Sequence, residues 1–474
     1  MEIVTPQPNI IERFNRWLQD SIMIKLMSIG FLVLVLLIPS SWIDNIIEER
    51  QSRAESVMAE VSDKWSGQQS ITGPVLVIPY IRQQIIDRGK DGKEIIEHNE
   101  KAFFLPKTLN VNGTIDPEVL HRGIFDAVVY KSSLDITSSF ETPDFKSLSI
   151  NETSVIWKDA YMVLGISDVR GITDNLLFSV NGKPIEAEQS SNIGVLATKA
   201  IKATSTDYQQ PQSYSAALSN RNGVLVKLNA TGPLDLIGSV HIKLSLKGSQ
   251  RLDFVPVGKT TTVNLKGPWA DPSFDGEFLP TSRQISETGF AANWKILHFN
   301  RPFSQQWKED EQELSGADFG IKLILPVDQY QKSMRTSKYS VLIILLTFIA
   351  LFLVEITQKI RIHPFQYILI GAALTIYYVL LLSISEQTGY NIAYGLASAS
   401  TVILITLYSV SFLRNTRLTL LFCFLLVVFY TFIFVIILQQ DFSLLLGSIG
   451  LFIIVAMLMY FSRSVNWYHQ GEAR

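Results

Sequence analysis

Six long apolar segments divide this chain, and a long polar block separates the first of them from the other five. The first segment runs from Leu26 to Ile43 and has no charged side chain. A helix needs roughly 20 apolar residues to cross the hydrocarbon core of a bilayer. The other five segments cover residues 339–354, 367–384, 392–413, 418–438 and 444–461. The sequence therefore predicts a multi-pass α-helical membrane protein with about six transmembrane helices, and it excludes a wholly soluble protein.

The first segment has the basic flank of an export signal, with Arg13, Arg16 and Lys25 before the apolar core. A cleaved signal peptide is one interpretation of this pattern. However, the residues that follow, Pro39 to Trp42, contain no Ala-x-Ala-like cleavage site. A tryptophan at the edge of the span also suits an interfacial anchor. An uncleaved first transmembrane helix over residues 26–43 is therefore favoured.

The short loops between the C-terminal segments alternate in charge, and this alternation predicts the orientation. Two of the four loops carry basic residues, namely Lys359 with Arg361 and Arg414 with Arg417, whereas residues 386–391 and 439–443 carry none. Basic loops stay in the cytoplasm during membrane insertion. We therefore expect residues 1–25 and 462–474, and with them both termini, in the cytoplasm. Residues 44–338 are expected on the other side of the membrane.

Residues 44–338 have the patterns of a β-rich domain that follows a short amphipathic helix near residues 46–65. Ile242, Leu244 and Leu246 alternate with polar residues, which is typical of a half-buried strand. Asn181-Gly182 separates two further strand-like runs and suits a tight type I′ hairpin turn. Other strands are expected at residues 75–80, 103–105, 124–130, 155–164, 224–228, 252–257, 261–265 and 321–325. Many short strands with Gly, Pro and Asn between them predict an antiparallel sandwich.

Several classes of function have little support in the sequence. Cys423 is the one cysteine, so disulfides do not organise the fold. The net charge is −2, and no region has the basic excess that would bind nucleic acid. Gly258-Lys259-Thr260 lacks the rest of a phosphate-binding loop and is expected to form a β-turn. The six histidines show no metal-binding spacing, and no serine-hydrolase motif is present. No catalytic, cofactor-binding or metal-binding residue is therefore predicted.

Two carboxylates, Glu355 and Glu386, lie at the ends of apolar segments. A carboxylate in water at the level of the lipid headgroups is favoured over a role in proton or ion movement, although Glu386 is kept as a candidate functional residue. Tyr377 and Tyr378, in the third segment, are expected to make hydrogen bonds between helices.

The most unusual part of the polar block is residues 267–294, which combine aromatic residues with Gly and Pro. Its candidate functional residues are Phe274, Phe278, Arg283, Phe290 and Trp294. The favoured interpretation is a crossing between strands whose rings cover one end of the core, because large aromatic side chains usually bury area. In that case Arg283 is partly buried and pairs with Asp275 or Glu277. The alternative is an exposed aromatic surface for a partner or a polymer chain.

Five stretches together carry a resemblance to a known family: Gly73-Pro74-Val75-Leu76 through Pro79-Tyr80, Ser167-Asp168-Val169-Arg170-Gly171, Pro272-Ser273-Phe274 through Trp294, Pro326-Val327-Asp328-Gln329-Tyr330 with Arg335, Lys338 and Tyr339, and His363-Pro364-Phe365-Gln366-Tyr367 leading to Ser385-Glu386. In order and spacing, over nearly the whole chain, these stretches resemble the CreD family of bacterial inner-membrane proteins, also called cell envelope integrity proteins.

The resemblance implies a multi-pass protein of the bacterial inner membrane that is linked to a two-component system and affects envelope integrity and colicin tolerance. It implies no known catalytic residues and no cofactor. The expected function is non-enzymatic support of the envelope, through contacts of a periplasmic domain with an envelope component or protein partner that the sequence does not identify. The lipid bilayer is the other expected partner. A transporter, or an enzyme that acts on envelope material, is the alternative.

Overall fold

The computed structural model describes residues 22–87, 93–190, 222–309, 312, 314, 316–323, 328–358, 360, 362–439 and 442–463. Most of the predicted cytoplasmic segments, residues 1–25 and 462–474, lies outside this part of the chain. The chain forms two compact units. One unit is Ala54–Pro326, and the other combines Met1–Arg53 with Val327–Arg474.

The described part of the unit that combines Met1–Arg53 with Val327–Arg474 consists of helices, the first of which continues beyond Arg53. Their bounds are α1 Ile22–Trp65, α2 Asp328–Lys338, α3 Ser340–Gln358, α4 Pro364–Thr388, α5 Tyr390–Leu413, α6 Thr416–Leu438 and α7 Ser443–Ser462. Among the described residues, five helices are long and apolar enough to cross a membrane: α1 over Lys25–Trp65, α3, α4, α5 and α6. The sixth predicted span, residues 444–461, coincides with helix α7 but is not among these five.

The sequence explains where several of these helices begin and end. Pro364 starts α4, where its missing N–H costs no hydrogen bond, and the His363 side chain accepts a hydrogen bond from the backbone N–H of Phe365. Gly389 has a φ of 77° and separates α4 from α5, because a left-handed backbone ends a helix easily at glycine. Asn415 caps the start of α6 through its side chain.

Helix α1 corrects the prediction of two separate helices at the N-terminal end. The expected span at residues 26–43 and the expected amphipathic helix at residues 46–65 form one continuous helix, Ile22–Trp65, with Pro39 inside it. A proline removes only one main-chain hydrogen bond, and the residues after Pro39 include good helix formers such as Glu48 and Glu49. The β-rich unit consequently begins at Ala54, not Asp44, and α2 belongs to the helical unit.

The β-rich unit contains two sheets. The strand bounds are β1 Gln69–Asp87, β2 Lys93–Phe104, β3 Thr108–Arg122, β4 Phe125–Phe140, β5 Tyr161–Ile166, β6 Leu177–Val180, β7 Lys183–Ile185, β8 Glu188–Ser190, β9 Gly223–Lys227, β10 Gly238–Ser249, β11 Arg251–Phe254, β12 Thr260–Gly267, β13 Pro272–Gly276, β14 Ser282–Ser286, β15 Gly289–Leu297, β16 Gln306–Lys308 and β17 Phe319–Leu323. The first sheet has the order β13-β17-β11-β1-β5-β9-β8, with β2 beside β1 and β16 beside β2. The second has the order β14-β15-β12-β3-β4-β10-β6-β7.

One cluster of buried apolar side chains includes residues of both sheets, as in a sandwich. Most strand pairs are antiparallel, as predicted, but β1 pairs with β11 and β3 pairs with β12 in parallel. The predicted antiparallel pairing does not hold for these two pairs, because strand order depends on long connections that local patterns do not reveal.

Several local predictions in this unit are confirmed. Ile242, Leu244 and Leu246 are all buried on β10. Asn181 and Gly182 both have positive φ values, of 50° and 76°, between β6 and β7. The strand expected at residues 155–164 is confirmed only in its second half, since β5 begins at Tyr161 and short 3-10 turns precede it.

Candidate functional site

The segment 267–294 consists mostly of strands, and the crossing between strands that the sequence predicted occupies only a short part of it. Strand β13 pairs with β17 in the first sheet, whereas β14 and β15 pair with each other in the second. The passage between the sheets is therefore limited to the short link from Glu277 to Thr281. Gly276 has a φ of 107° and a Cβ atom there would collide with the main chain of Asp318, so only glycine fits this turn.

The four aromatic candidates of this segment pack in the core. Phe290 and Trp294 are buried, and Phe274 and Phe278 are partly buried against the same cluster. Phe274 makes edge-to-face contacts with Phe290 and Trp294, with centroid distances of 6.3 and 5.6 Å. The indole N–H of Trp294 donates to the main-chain oxygen of Phe278 at 3.1 Å. These rings stabilise the end of the sandwich and do not form an exposed aromatic surface.

Arg283 does not have the partly buried, paired position that the sequence predicted. It lies on the edge strand β14, all five residues of which are exposed. In the part of the chain that the structure describes, Arg283 has no ion pair. The strand pairs only with β15, where Arg283 is opposite Ala292. Asp275, one of its two expected partners, instead pairs with Arg251 at 3.2 Å.

Arg251 is the mostly buried arginine of this region, and it was not predicted from the sequence. With Asp253, Asp275 and Asp318 it forms the Arg251 cluster, with nitrogen–oxygen distances of 2.5, 3.2 and 3.7 Å to the three carboxylates. The cluster joins β11 to β13 and to the start of β17. Residues i and i+2 share a face of a strand, so Arg251-Leu252-Asp253 was the available signal.

Asp253 is fully buried, and its carboxylate lies 2.5 Å from the Arg251 guanidinium. Burial raises the pKa of Asp253 to about 7, and the nearby Asp318 and Asp275 add to this effect while Arg251 opposes it. Loss of solvent around a buried carboxyl group favours its neutral form, and here this effect exceeds the opposing effect of Arg251. This cluster is a structural charge network within the first sheet.

A groove on the outer face of the second sheet is the best candidate for binding. Its floor is Ala291 on β15, which lies directly opposite Lys266 on β12 and Gln284 on β14. Because the Ala291 side chain is only a methyl group and lies between the longer side chains of Lys266 and Gln284, open space remains above it. The groove has a volume of about 570 Å³ and adjoins a second depression of about 600 Å³ that shares Thr114, Lys266, Gln284 and Ala291 with it.

Three asparagines on neighbouring strands form a ladder along this groove. Asn112 and Asn264 are exposed, while the residues beside them along the strands are buried, so both lie on the outer face. The Asn264 side-chain amide donates to Asn112 at 2.9 Å, and Asn293 in turn donates to Asn264. We call the surface of Asn112, Asn264, Asn293, Lys266, Gln284 and Ala291 the amide groove.

The amide groove has the chemistry of a binding surface. Each amide side chain offers both donors and an acceptor, so the groove can bind hydroxyl and amide groups. Lys266 and Arg283 are the cations in the lining of the groove, and Asp116 lines the adjoining depression. Acid–base hydrolysis of a glycosidic bond uses a pair of carboxylates, which this lining does not supply. Among the described residues, no group of His, Cys, Asp and Glu could hold a metal ion.

In the helical unit, the structure corrects the position expected for Glu355. Its side chain is 4% exposed and accepts hydrogen bonds from Lys25 at 2.6 Å, from the Tyr367 hydroxyl at 3.1 Å and from the backbone N–H of Ile362 at 3.1 Å. A buried carboxylate with this many partners is a structural lock between α1, α3 and α4. Glu355 is therefore not a water-exposed carboxylate at a headgroup.

Glu386, the candidate at the other end of α4, is also mostly buried. It accepts a hydrogen bond from the Tyr330 hydroxyl of α2 at 3.2 Å, and Arg50 of α1 lies 3.9 Å away. This arrangement ties the polar helix α2 to the bundle.

Comparisons with known proteins identify the family. Residues 21–468 match the family model described as "Inner membrane protein CreD". The chain belongs to the CreD family. It is also 29% identical to the inner membrane protein CreD of Escherichia coli (strain K12), over 94% of this chain and 93% of that protein. Among solved structures, an M1 zinc metallopeptidase from Deinococcus radiodurans is 10% identical over 40% of this chain and 39% of its own, with a TM-score of 0.19, which does not indicate a shared fold.

Membership of the CreD family agrees with the apolar helices, so this is a multi-pass protein of the inner membrane. The amide groove and the Arg251 cluster both belong to its large β-rich unit, and the Glu355 lock belongs to its membrane helices.

Proposed function

We propose that this CreD-family protein supports the integrity of the cell envelope without catalysing a reaction, by binding an envelope component in the amide groove. The proposal includes the predicted orientation, with the β-rich unit in the periplasm and both termini in the cytoplasm. The charge of the short loops supports that orientation.

The observation that carries the proposal is the amide groove itself. It crosses four strands, β3, β12, β15 and β14, and is open along its length. Its lining combines neutral amide and hydroxyl groups with the aliphatic floor at Ala291. Such a surface fits an extended polymer that bears hydroxyl and amide groups, because each repeat can exchange hydrogen bonds with successive asparagines.

The rigid setting of the groove favours binding further. Ala291 lies between Phe290 and Ala292, both of which are buried, so the floor is fixed by the core below it. Rigid sites lose less entropy when a ligand binds. A ligand would therefore meet a preformed surface.

A substitution that fills the amide groove tests this proposal. Ala291→Trp should place a large ring on the floor, and Lys243→Trp provides a matched control, because Lys243 is exposed on β10 of the same sheet, away from the groove. Each variant is expressed in cells that lack the protein, and survival is measured in an envelope-damaging detergent. We expect the control to restore survival and Ala291→Trp to fail, at equal protein levels. Full rescue by Ala291→Trp would reject the amide groove as the functional surface.

A further inference from the structure

Inside the helical bundle, three tyrosine hydroxyls have no hydrogen-bond partner among the described residues. They belong to Tyr377 and Tyr378 on α4 and to Tyr430 on α6, and all three side chains are at most 3% exposed. The Tyr377 ring packs edge to face against both Tyr378 and Tyr430, with centroid distances of 4.8 Å. Tyr394 of α5 adds a fourth ring at 6.0 Å from Tyr377.

A serine completes this group. Ser398 of α5 lies beside the hydroxyls of Tyr377 and Tyr394. We call Tyr377, Tyr378, Ser398 and Tyr430 the hydroxyl cluster. Within the described part of the chain, the helix–helix hydrogen bond predicted for Tyr378 is absent.

Several other buried hydroxyls of the same bundle do have hydrogen-bond partners. Tyr367 donates to Glu355 at 3.1 Å, Tyr394 donates to the main-chain oxygen of Tyr430 at 2.7 Å, and Thr336 shares a hydrogen bond with Tyr390 at 2.5 Å. Buried polar groups without partners are rare in proteins and unfavourable, and inside a bilayer no bulk water compensates for them.

A polar route leads from α2 towards the hydroxyl cluster. Thr336 of α2 contacts Tyr390, whose ring lies 5.8 Å from that of Tyr394, which is in turn next to Tyr377. Ser333 of α2 is buried and, within the described residues, likewise has no hydrogen-bond partner. Hydroxyl-bearing side chains therefore extend from α2 towards the interior of the bundle.

We propose that the hydroxyl cluster is a binding site for a neutral oxygen ligand, held by hydrogen bonds from the phenol groups. The rings packed around Tyr377 are those of other tyrosines, which are neutral, so a neutral ligand suits the site better than an ion. Water and the hydroxyl or ester oxygens of a membrane lipid are the two sources of this chemistry. This proposal does not depend on the amide groove.

The first experiment measures the melting temperature of the full chain in lipid nanodiscs, with Tyr378→Phe and Tyr430→Phe. If a ligand bonds to these hydroxyls, each variant loses hydrogen bonds and its melting temperature falls, as it should for the control Tyr367→Phe. If no ligand is bound, each variant removes an unpaired buried hydroxyl, and its melting temperature stays equal or rises. A rise in both variants, together with a fall in the control, would overturn the proposal.

The second experiment distinguishes the sources. Radiolytic hydroxyl labelling in ¹⁸O water should modify Tyr378 and Tyr430 faster than the equally buried Tyr367 if water is the ligand. If a lipid is the ligand, these tyrosines stay unlabelled, and native mass spectrometry should show a retained lipid that Tyr430→Phe releases. If the tyrosines are not labelled and no retained lipid is found, the proposal is also overturned.

Discussion

Replacing Asp253 with asparagine should remove a large pH-dependent contribution to the stability of the β-rich unit. Asp253 is fully buried beside Arg251, and burial raises its pKa from 3.8 to about 7. The unfolded chain has the ordinary pKa, so between about pH 4 and pH 7 the folded chain holds a proton that the unfolded chain has released.

The sign of the effect follows from this difference in proton binding. Because the folded chain binds the proton more tightly, this group makes the free energy of unfolding fall as the pH rises from about 4 to about 7. Above about pH 7 its contribution is constant. A rise from 3.8 to about 7 corresponds to roughly 4 kcal/mol as an upper limit, at about 1.4 kcal/mol for each pH unit.

The assay is guanidinium unfolding of the full chain in detergent, followed by the fluorescence of tryptophans buried in the β-rich unit, such as Trp294 and Trp307. The difference in unfolding free energy between Asp253→Asn and the unmodified protein is compared at pH 4.5 and pH 7.5, so that contributions of other groups cancel. We expect the variant to gain stability relative to the unmodified protein at the higher pH, by up to about 3 kcal/mol. An equal difference at both pH values would refute the reasoning.

Three further predictions follow from the ion pairs and the topology. At pH 7.5, where Asp253 is ionised, Arg251→Ala should cost roughly 3–5 kcal/mol in the same unfolding assay, because it leaves the buried Asp253 carboxylate without its cation. The matched change Arg283→Ala should cost less than about 0.5 kcal/mol, since Arg283 is exposed, and equal losses would contradict the assignment. Glu355→Gln should lower the melting temperature of the helical unit in detergent, because the buried lock loses its charge, and an unchanged value would argue against the lock. Reporter fusions after Arg417 should be active in the cytoplasm and fusions after Gly389 in the periplasm, and the reverse pattern would exclude the predicted orientation.

Local patterns in the sequence predicted the elements of this fold well. Apolar length identified the membrane helices, and alternation identified strands such as β10, because both signals depend only on neighbouring residues. The continuity of α1 through Pro39 was missed, since proline usually marks a boundary but does not always break a helix.

Long-range pairing was the part that the sequence did not reveal. The sequence predicted that Arg283 would be the partly buried, paired arginine, because aromatic residues surround it along the chain. In the structure Arg251 has this partly buried, paired position, because β11, β17 and β13 are neighbours in the first sheet. The amide groove depends likewise on the register that places Lys266 and Gln284 opposite Ala291. Register between distant strands follows from the whole fold, so the groove could not be predicted from one strand.

Site-specific photo-crosslinking in living cells tests the central claim most directly. A photoreactive residue replaces Gln284 at the edge of the amide groove, and the same residue replaces Lys243 as the control on β10. The account predicts a crosslink to a periplasmic envelope polymer at position 284, no such crosslink at position 243, and loss of the first when Ala291→Trp is added. Equal yields at the two positions, or a crosslink at position 284 that Ala291→Trp leaves intact, would contradict it.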